Sequence, residues 1–222
     1  MLPREAPLGL AVTDDEDRHT ATVRALPGPP GRVPSRARGG VVRMSRVDPF
    51  ADVLTANAAY AETFVDDGRP GIAGSGLAVL TCMDSRISPL EVLGLEKGDA
   101  KILRNAGARV TDDVLRTLVL AHHLLGVQRV LVLAHTDCGM TKNTDADVHA
   151  KVLAQGVDSR SIEFRTIADQ RATLVHDVQR IRSWPFLPPT MPVAGGVYDV
   201  RTGAIEMVVA ADATAEEPPR LP

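Results

Sequence analysis

The sequence has only two cysteines among its 222 residues, little net charge and no long hydrophobic run. Its longest apolar stretches, such as residues 130–134, are far shorter than the about 20 residues that a transmembrane helix needs. The net charge of -3 gives no basic surplus of the kind that binds nucleic acid or an anionic membrane. We therefore predict no membrane partner and no nucleic-acid partner. The composition, 44% apolar and 24% charged, is ordinary for a globular α/β domain.

The beginning of the chain lacks the basic and then apolar pattern of a secretory signal, and it carries the acidic run Asp14–Asp17 instead. We therefore expect a cytoplasmic location, where thiols stay reduced. In that compartment, Cys82 and Cys138 indicate metal binding or catalysis before they indicate a disulfide.

Three segments differ in composition. Residues 1–43 hold six of the sixteen prolines and show no sustained hydrophobic period, so we interpret them as a disordered or loosely attached extension. Alternatively, Met44 is the native start of the protein. Residues 44–213 are predicted to form a single α/β catalytic domain, and residues 214–222 a frayed tail.

Strand and helix patterns alternate through this domain. Helices are predicted from Asp48 to about residue 64, at 89–95, at 112–125 and at 167–184, and strands at 77–82, 101–104, 129–135, 193–200 and 204–210. Residues 147–164 show an irregular or partly helical pattern. The glycine-rich segment 71–76 precedes a strand, whereas a dinucleotide loop follows one, so we expect a flexible connection there and no dinucleotide cofactor.

This alternation predicts the fold class. We expect a mostly parallel, doubly wound sheet with strand order 2-1-3-4, an antiparallel edge strand and helices on both faces. In such a sheet the first and third strands are neighbours, and ligands bind beyond the carboxyl ends of the strands where the order switches.

Two polar segments follow two of these strands. Cys82 and His135 end the first and third predicted strands, and Cys138 lies three residues after His135. We expect the three side chains to meet at one edge of the sheet. Two thiolates and one imidazole suit tetrahedral Zn²⁺, and three protein ligands rather than four are typical of a catalytic zinc site.

Asp84 and Arg86 follow Cys82 closely. Two thiolates cancel the metal's charge, so a water bound there ionises less readily than one on a three-histidine site. Some other group must then favour hydroxide. We expect Arg86 to fix Asp84 by a bidentate contact, and Asp84 to orient the hydroxide through a hydrogen bond. A purely structural Asp84–Arg86 ion pair is the alternative.

The motifs together resemble those of the β-class carbonic anhydrases, in the compact, archaeal-like branch of that family. The resemblance runs from about Met44 to Ala210 and rests on four elements: Cys82-x-Asp84-x-Arg86, Arg104-Asn105-Ala106-Gly107, Thr111-Asp112-Asp113, and His135-Thr136-Asp137-Cys138-Gly139-Met140.

The resemblance implies a carbonate dehydratase with one Zn²⁺ per chain, in which zinc-bound hydroxide attacks carbon dioxide and bicarbonate and a proton are released. It implies a homodimer or a dimer of dimers, with the first helix embracing its partner. It also implies that Asp84 serves as a conditional fourth zinc ligand in a closed state of the site.

Other functions remain open at this point. The same zinc scaffold could hydrolyse carbon disulfide or carbonyl sulfide, and a non-catalytic zinc protein or bicarbonate sensor would need the same ligands. A thiol redox protein is disfavoured because the cysteines lack C-x-x-C spacing. His122 and His123 follow a helical pattern, whereas His149 and His176 are predicted to be surface groups, with no support for a role as proton shuttle. Asp137 is interpreted as a loop-shaping residue.

Overall fold

The computed structural model describes residues 48–211. The predicted extension 1–43 and tail 214–222 lie outside the described residues. Residues 48–211 form five helices and five strands, in the order α1 Ala51–Thr63, β1 Leu77–Cys82, α2 Pro89–Leu93, β2 Ala100–Asn105, α3 Asp112–Leu125, β3 Arg129–His135, α4 Asp145–Leu153, α5 Gln170–Arg182, β4 Val193–Tyr198 and β5 Ile205–Val209. Two short 3₁₀ turns follow β2 and β3, at Ala106–Ala108 and Gly139–Thr141.

The strands form one five-stranded sheet in the order β2-β1-β3-β4-β5. β1 pairs in parallel with β2 and β3, and β3 pairs in parallel with β4, whereas β5 is antiparallel to β4. The predicted order and antiparallel edge are thus confirmed. β1 and β3 are almost wholly buried, which explains their continuous apolar sequences.

The main core lies between this sheet and the helices that pack on it, chiefly α3 and α5. Its fully buried members include Leu80 of β1, Leu115 and Leu118 of α3, and Val178 of α5. α3 begins where the Thr111 side chain accepts a hydrogen bond from the Val114 amide, as an N-cap does.

The chain divides into two compact units, of which the first ends at Glu62 and the second begins at Thr63. Most of α1 belongs to the first, and none of the residues of this helix is buried. The second unit carries the whole sheet. Within residues 48–211, every helix is too short or too polar to traverse a lipid bilayer.

One helical prediction needs correction, and another is made more specific. α5 begins at Gln170, not at Ile167, because the Asp169 side chain caps it by accepting from the Ala172 amide. The stretch 147–164, predicted to be irregular or partly helical, is partly helical, because it contains most of the helix α4. A capping box between Thr144 and Asp147 starts α4, and its Asp replaces the Glu or Gln that usually signals this motif.

The glycine-rich segment 71–76 lies at the amino-terminal ends of the strands, opposite to the predicted site. The amides of Ala73, Gly74 and Ser75 donate to the carbonyls of Leu125, Gly98 and Asp99 at 2.8, 3.0 and 2.9 Å. These bonds fix the segment in place, which differs from the flexible connection that we expected.

Candidate metal centre

Two adjacent parallel strands bring the three predicted ligand residues together. Cys82 is the last residue of β1 and His135 the last of β3. After β3 the chain turns at Asp137, whose φ of 57° is left-handed, and returns Cys138 to the same place. The two sulfurs are 4.0 Å apart, and the candidate ligand atoms of all three residues lie within 4.8 Å of one another.

The three side chains are almost fully buried, with exposures of 5%, 1% and 2% for Cys82, His135 and Cys138. The Nδ1 atom of His135 lies 2.8 Å from the Thr136 carbonyl oxygen, which can only accept, so Nδ1 carries the proton. Nε2 then presents a lone pair, yet it is buried without a hydrogen-bond partner. A buried, unsatisfied acceptor beside two sulfurs fits a metal cation, and the S/S/N donor set fits Zn²⁺.

The two thiols strongly influence each other. A hydrogen bond from Cys138 holds the pKa of the Cys82 thiol far below its usual range, and the Cys82 thiolate together with burial raises the pKa of Cys138. The pair therefore tends to share one proton between two sulfurs. A divalent cation would release that proton, because metals bind the thiolate form.

The Asp84–Arg86 pair lies beside the ligands. Arg86 donates from Nε to Asp84 Oδ1 at 2.9 Å and from Nη2 to Oδ2 at 2.7 Å, which is a bidentate contact. These bonds lower the pKa of Asp84 and keep it anionic. The Oδ2 atom is also 3.9 Å from His135 Nε2, so the carboxylate borders the ligand cluster.

Asp137 has a larger part than the loop-shaping role predicted for it. Its Oδ2 accepts from Arg86 Nη1 at 2.9 Å, and its Oδ1 lies 2.6 Å from Lys142 Nζ. The contacts with Lys142 and Arg86 lower the pKa of Asp137 to about 2. Arg86 thus bridges two carboxylates and is oriented from both sides.

Long-range contacts that the sequence did not reveal support the ligands. Arg104 donates from Nε to the Cys82 carbonyl at 3.0 Å and from Nη2 to the Asp84 carbonyl at 2.6 Å. Gln170 donates to the His135 carbonyl at 2.7 Å. The Gly107 amide donates to Cys82 Sγ at 3.4 Å, so the 3₁₀ turn after β2 contacts a ligand directly.

The remaining histidines discussed above have other partners. His122 and His123 lie in the last turn of α3, as predicted, and face the carbonyls of Val127 and Phe186. His149 contacts the Ser159 hydroxyl. The side chain of His176 is 73% exposed, as expected of a surface group.

Known proteins resemble this chain in sequence and structure. A family model described as carbonic anhydrase matches residues 77–184. A protein of Mycobacterium tuberculosis named β-carbonic anhydrase 1 is 33% identical over 157 residues, which are 71% of this chain and 96% of the relative. A carbonic anhydrase crystal structure from Streptococcus mutans is similar with a TM-score of 0.69 and 36% identity, over 73% of this chain and 98% of that one. A carbon disulfide hydrolase of an Acidianus strain is 30% identical over 150 residues, 57% of this chain and 74% of that relative.

These similarities include the part of the chain that forms the cluster, since the matched segment 77–184 contains Cys82, Asp84, Arg86, His135 and Cys138. The mycobacterial relative is matched over almost its whole length. With the sheet order and the buried S/S/N cluster, these matches assign the family, and the chain belongs to the β-carbonic anhydrases.

Proposed function

We propose that this protein catalyses the zinc-dependent, reversible hydration of carbon dioxide to bicarbonate and a proton, as a carbonate dehydratase. The observation that carries the proposal is the buried cluster of Cys82, His135 and Cys138, whose one unsatisfied nitrogen and two sulfurs converge within 4.8 Å. These three residues would hold one Zn²⁺ per chain. Three protein ligands are typical of catalytic zinc sites.

When bound, zinc supplies a Lewis acid that makes a water molecule nucleophilic, less strongly with two thiolate ligands than with three imidazoles. The other tasks fall to the protein. Asp84 stays anionic beside the cluster, so it can accept a hydrogen bond from the reacting water and orient its lone pair toward carbon dioxide. Arg86 engages both oxygens of Asp84 and fixes that orientation.

Asp84 also supports the proposal of a closed state. Its Oδ2 lies only 3.9 Å from the nitrogen that would ligate the metal, so a small rotation would allow Asp84 to act as a fourth ligand and exclude water. The bidentate contact with Arg86 opposes that rotation, because both carboxylate oxygens are engaged. We propose that this contact favours the open, active site.

Apolar side chains border the cluster and suit an apolar substrate. Ile87 is buried against the two cysteines, and Val92, Met140 and Tyr198 pack partly buried on the same group. Carbon dioxide has no net charge, and an apolar wall holds it without competing hydrogen bonds. The low local dielectric also strengthens the electrostatic effect of Asp84.

We propose that the protein works as a homodimer or tetramer in the cytoplasm. Phe50, directly before α1, and Val53 and Leu54, in its first turn, are 64%, 59% and 58% exposed. A second copy that covers these residues would remove their apolar surface from water. Light scattering of the purified protein tests this, because a monomer at micromolar concentration would contradict it.

Zinc analysis coupled to stopped-flow hydration tests the proposed function. We expect about one zinc per wild-type chain, and a strong loss of zinc in Cys138→Ser. Asp84→Asn is the matched comparison, because it should keep zinc and lose rate. Undiminished zinc in Cys138→Ser would contradict the ligand assignment, and full activity in Asp84→Asn would leave the Asp84–Arg86 contact with a structural role alone.

Hydrolysis of carbon disulfide is the second candidate, favoured by the similarity to a protein named for that activity. The same zinc-loaded sample, supplied with carbon disulfide, would then release hydrogen sulfide. We expect carbon dioxide to be the preferred substrate, and a higher kcat/KM for carbon disulfide would reverse the assignment.

A further inference from the structure

A buried ion pair between Arg109 and Asp177 lies at the end of the turn after β2, whose Gly107 amide contacts the Cys82 sulfur. Arg109 donates from Nε to Asp177 Oδ2 at 2.8 Å, and its Nη1 donates to the Arg165 carbonyl at 2.9 Å. The side chain of Asp177, on α5, is only 3% exposed, and that of Arg109 is 15% exposed. The proposed reaction uses neither residue.

The ion pair anchors the turn that follows β2. Asp177 Oδ2 also accepts from the Val110 amide at 3.1 Å. The Asn105 side chain closes the turn, since its Oδ1 accepts from the Arg109 amide at 2.8 Å and its Nδ2 donates to the Arg109 carbonyl at 2.7 Å. The carboxylate on α5 thereby fixes the whole segment from 105 to 110.

Gly107 sits at the centre of this segment and touches the metal centre. Its φ of 81° is left-handed, and its amide donates to Cys82 Sγ at 3.4 Å. Ile167 and Met140 pack so closely that an added Cβ would lie 2.9 Å from Ile167 Cδ1 and 3.2 Å from Met140 Cγ. The turn therefore has little room to shift, and its position decides whether the N–H reaches the sulfur.

Resting on the proposed function, we propose that Arg109 and Asp177 are positioning residues for the metal centre: they hold the Gly107 N–H on the Cys82 sulfur. A hydrogen bond to a ligating thiolate withdraws electron density from the sulfur and orients it. Mutation of groups that orient metal ligands in this way typically lowers metal affinity or activity by about 10- to 100-fold. A buried ion pair is weak evidence for a contribution to stability, so stability alone does not explain why these two charges are buried here.

The test compares Asp177→Asn with Val178→Ala, the adjacent and fully buried residue of α5. Both variants should lower the unfolding temperature, but only the first alters the ion pair. In Asp177→Asn we expect a zinc affinity about 10-fold or more below wild type. We also expect the sulfur-to-metal charge-transfer band of the cobalt-loaded protein to move to longer wavelength, and kcat to fall while KM is retained. Val178→Ala should keep the wild-type zinc affinity and band.

A second variant covers the possibility that Asp177→Asn does not fold. Arg109→Lys keeps the positive charge but replaces the guanidinium, whose separate nitrogens donate to Asp177 and to the Arg165 carbonyl, with a single ammonium nitrogen. It should therefore show the same changes as Asp177→Asn to a smaller extent. Wild-type zinc affinity and band position in the folded variants, or equal shifts in Val178→Ala, would overturn the inference alone. A wild-type chain that binds no zinc would overturn the proposed function together with it.

Discussion

Gly107→Ala places a methyl group at the most crowded glycine of the metal centre, and its cost can be worked out from the structure. The φ of 81° is left-handed, which costs a residue with a Cβ about 1–2 kcal/mol. The new Cβ would meet Ile167 Cδ1 at 2.9 Å and Met140 at 3.2 Å, and overpacking of this kind costs about 1–3 kcal/mol. We expect the variant to lose about 2–5 kcal/mol of unfolding free energy in total.

Gly156→Ala separates the two contributions. Gly156 has the same φ of 81°, but nothing lies within 4 Å of the position that its Cβ would occupy. It should therefore lose only about 1–2 kcal/mol, the conformational part. Denaturant unfolding of both variants, with zinc content fixed, measures the difference. Equal losses in the two variants would refute the reasoning, because they would mean that the space around Gly107 is not restricted.

A double variant tests the identity of the crowding atom. Ile167→Val removes Cδ1, the atom nearest to the added methyl group, so Gly107→Ala combined with Ile167→Val should regain part of the overlap cost. In Gly107→Ala, the overlap should also displace the 3₁₀ turn, weaken the contact between the residue 107 N–H and the Cys82 sulfur, and lower the zinc affinity. If the loss of unfolding free energy in the double variant equalled the sum of the losses in the two single variants, Ile167 would not be the neighbour that restricts residue 107.

Three further predictions concern the site, the loop beside it and the core. Asp84→Asn should retain zinc and hydrate carbon dioxide slower by about 10²-fold or more, measured by stopped flow over a pH series in which the wild-type rate rises toward alkaline pH. The pKa of Asp145 is lowered to about 2, mainly by the Thr166 hydroxyl. The ionised carboxylate therefore stabilises the fold fully above the unfolded pKa of about 3.9, and this stabilisation is lost as the pH falls toward 2. In Asp145→Asn, we expect the unfolding temperature to depend less on pH in this acidic range, as measured by thermal unfolding at a series of pH values. Gly195→Ala would place a Cβ 2.9 Å from Val178 Cγ2 and should lower the unfolding free energy by about 1–3 kcal/mol in denaturant titrations.

The sequence was most informative where one strand or one local signal determines the structure. The apolar runs of β1 and β3 predicted their own bounds, and their shared sheet edge predicted that Cys82 and His135 would meet. The helix α3 was predicted with its bounds because Asp112 begins it and Gly126 ends it. The bounds of these elements depend on residues that are close in the chain, whereas the meeting of Cys82 and His135 follows from the predicted order of the strands.

The surroundings of the ligands could not be predicted, because they depend on how distant elements pack. Asp177 is 68 positions from Arg109, and Gln170 is 35 positions from His135. Nothing in local periodicity distinguishes these side chains from ordinary polar residues of α5. Only the direction from which α5 packs on the sheet decides which of its residues reach the ends of β2 and β3.

The central claim is that the buried Cys82, His135 and Cys138 cluster binds a zinc ion that supports carbon dioxide hydration. The most direct test is the initial rate of carbon dioxide hydration by stopped flow on wild-type samples of graded, independently measured zinc content. The account predicts a rate that is proportional to zinc content up to one ion per chain and that rises with pH above neutrality. A fully zinc-loaded sample that hydrates carbon dioxide no faster than buffer would contradict it.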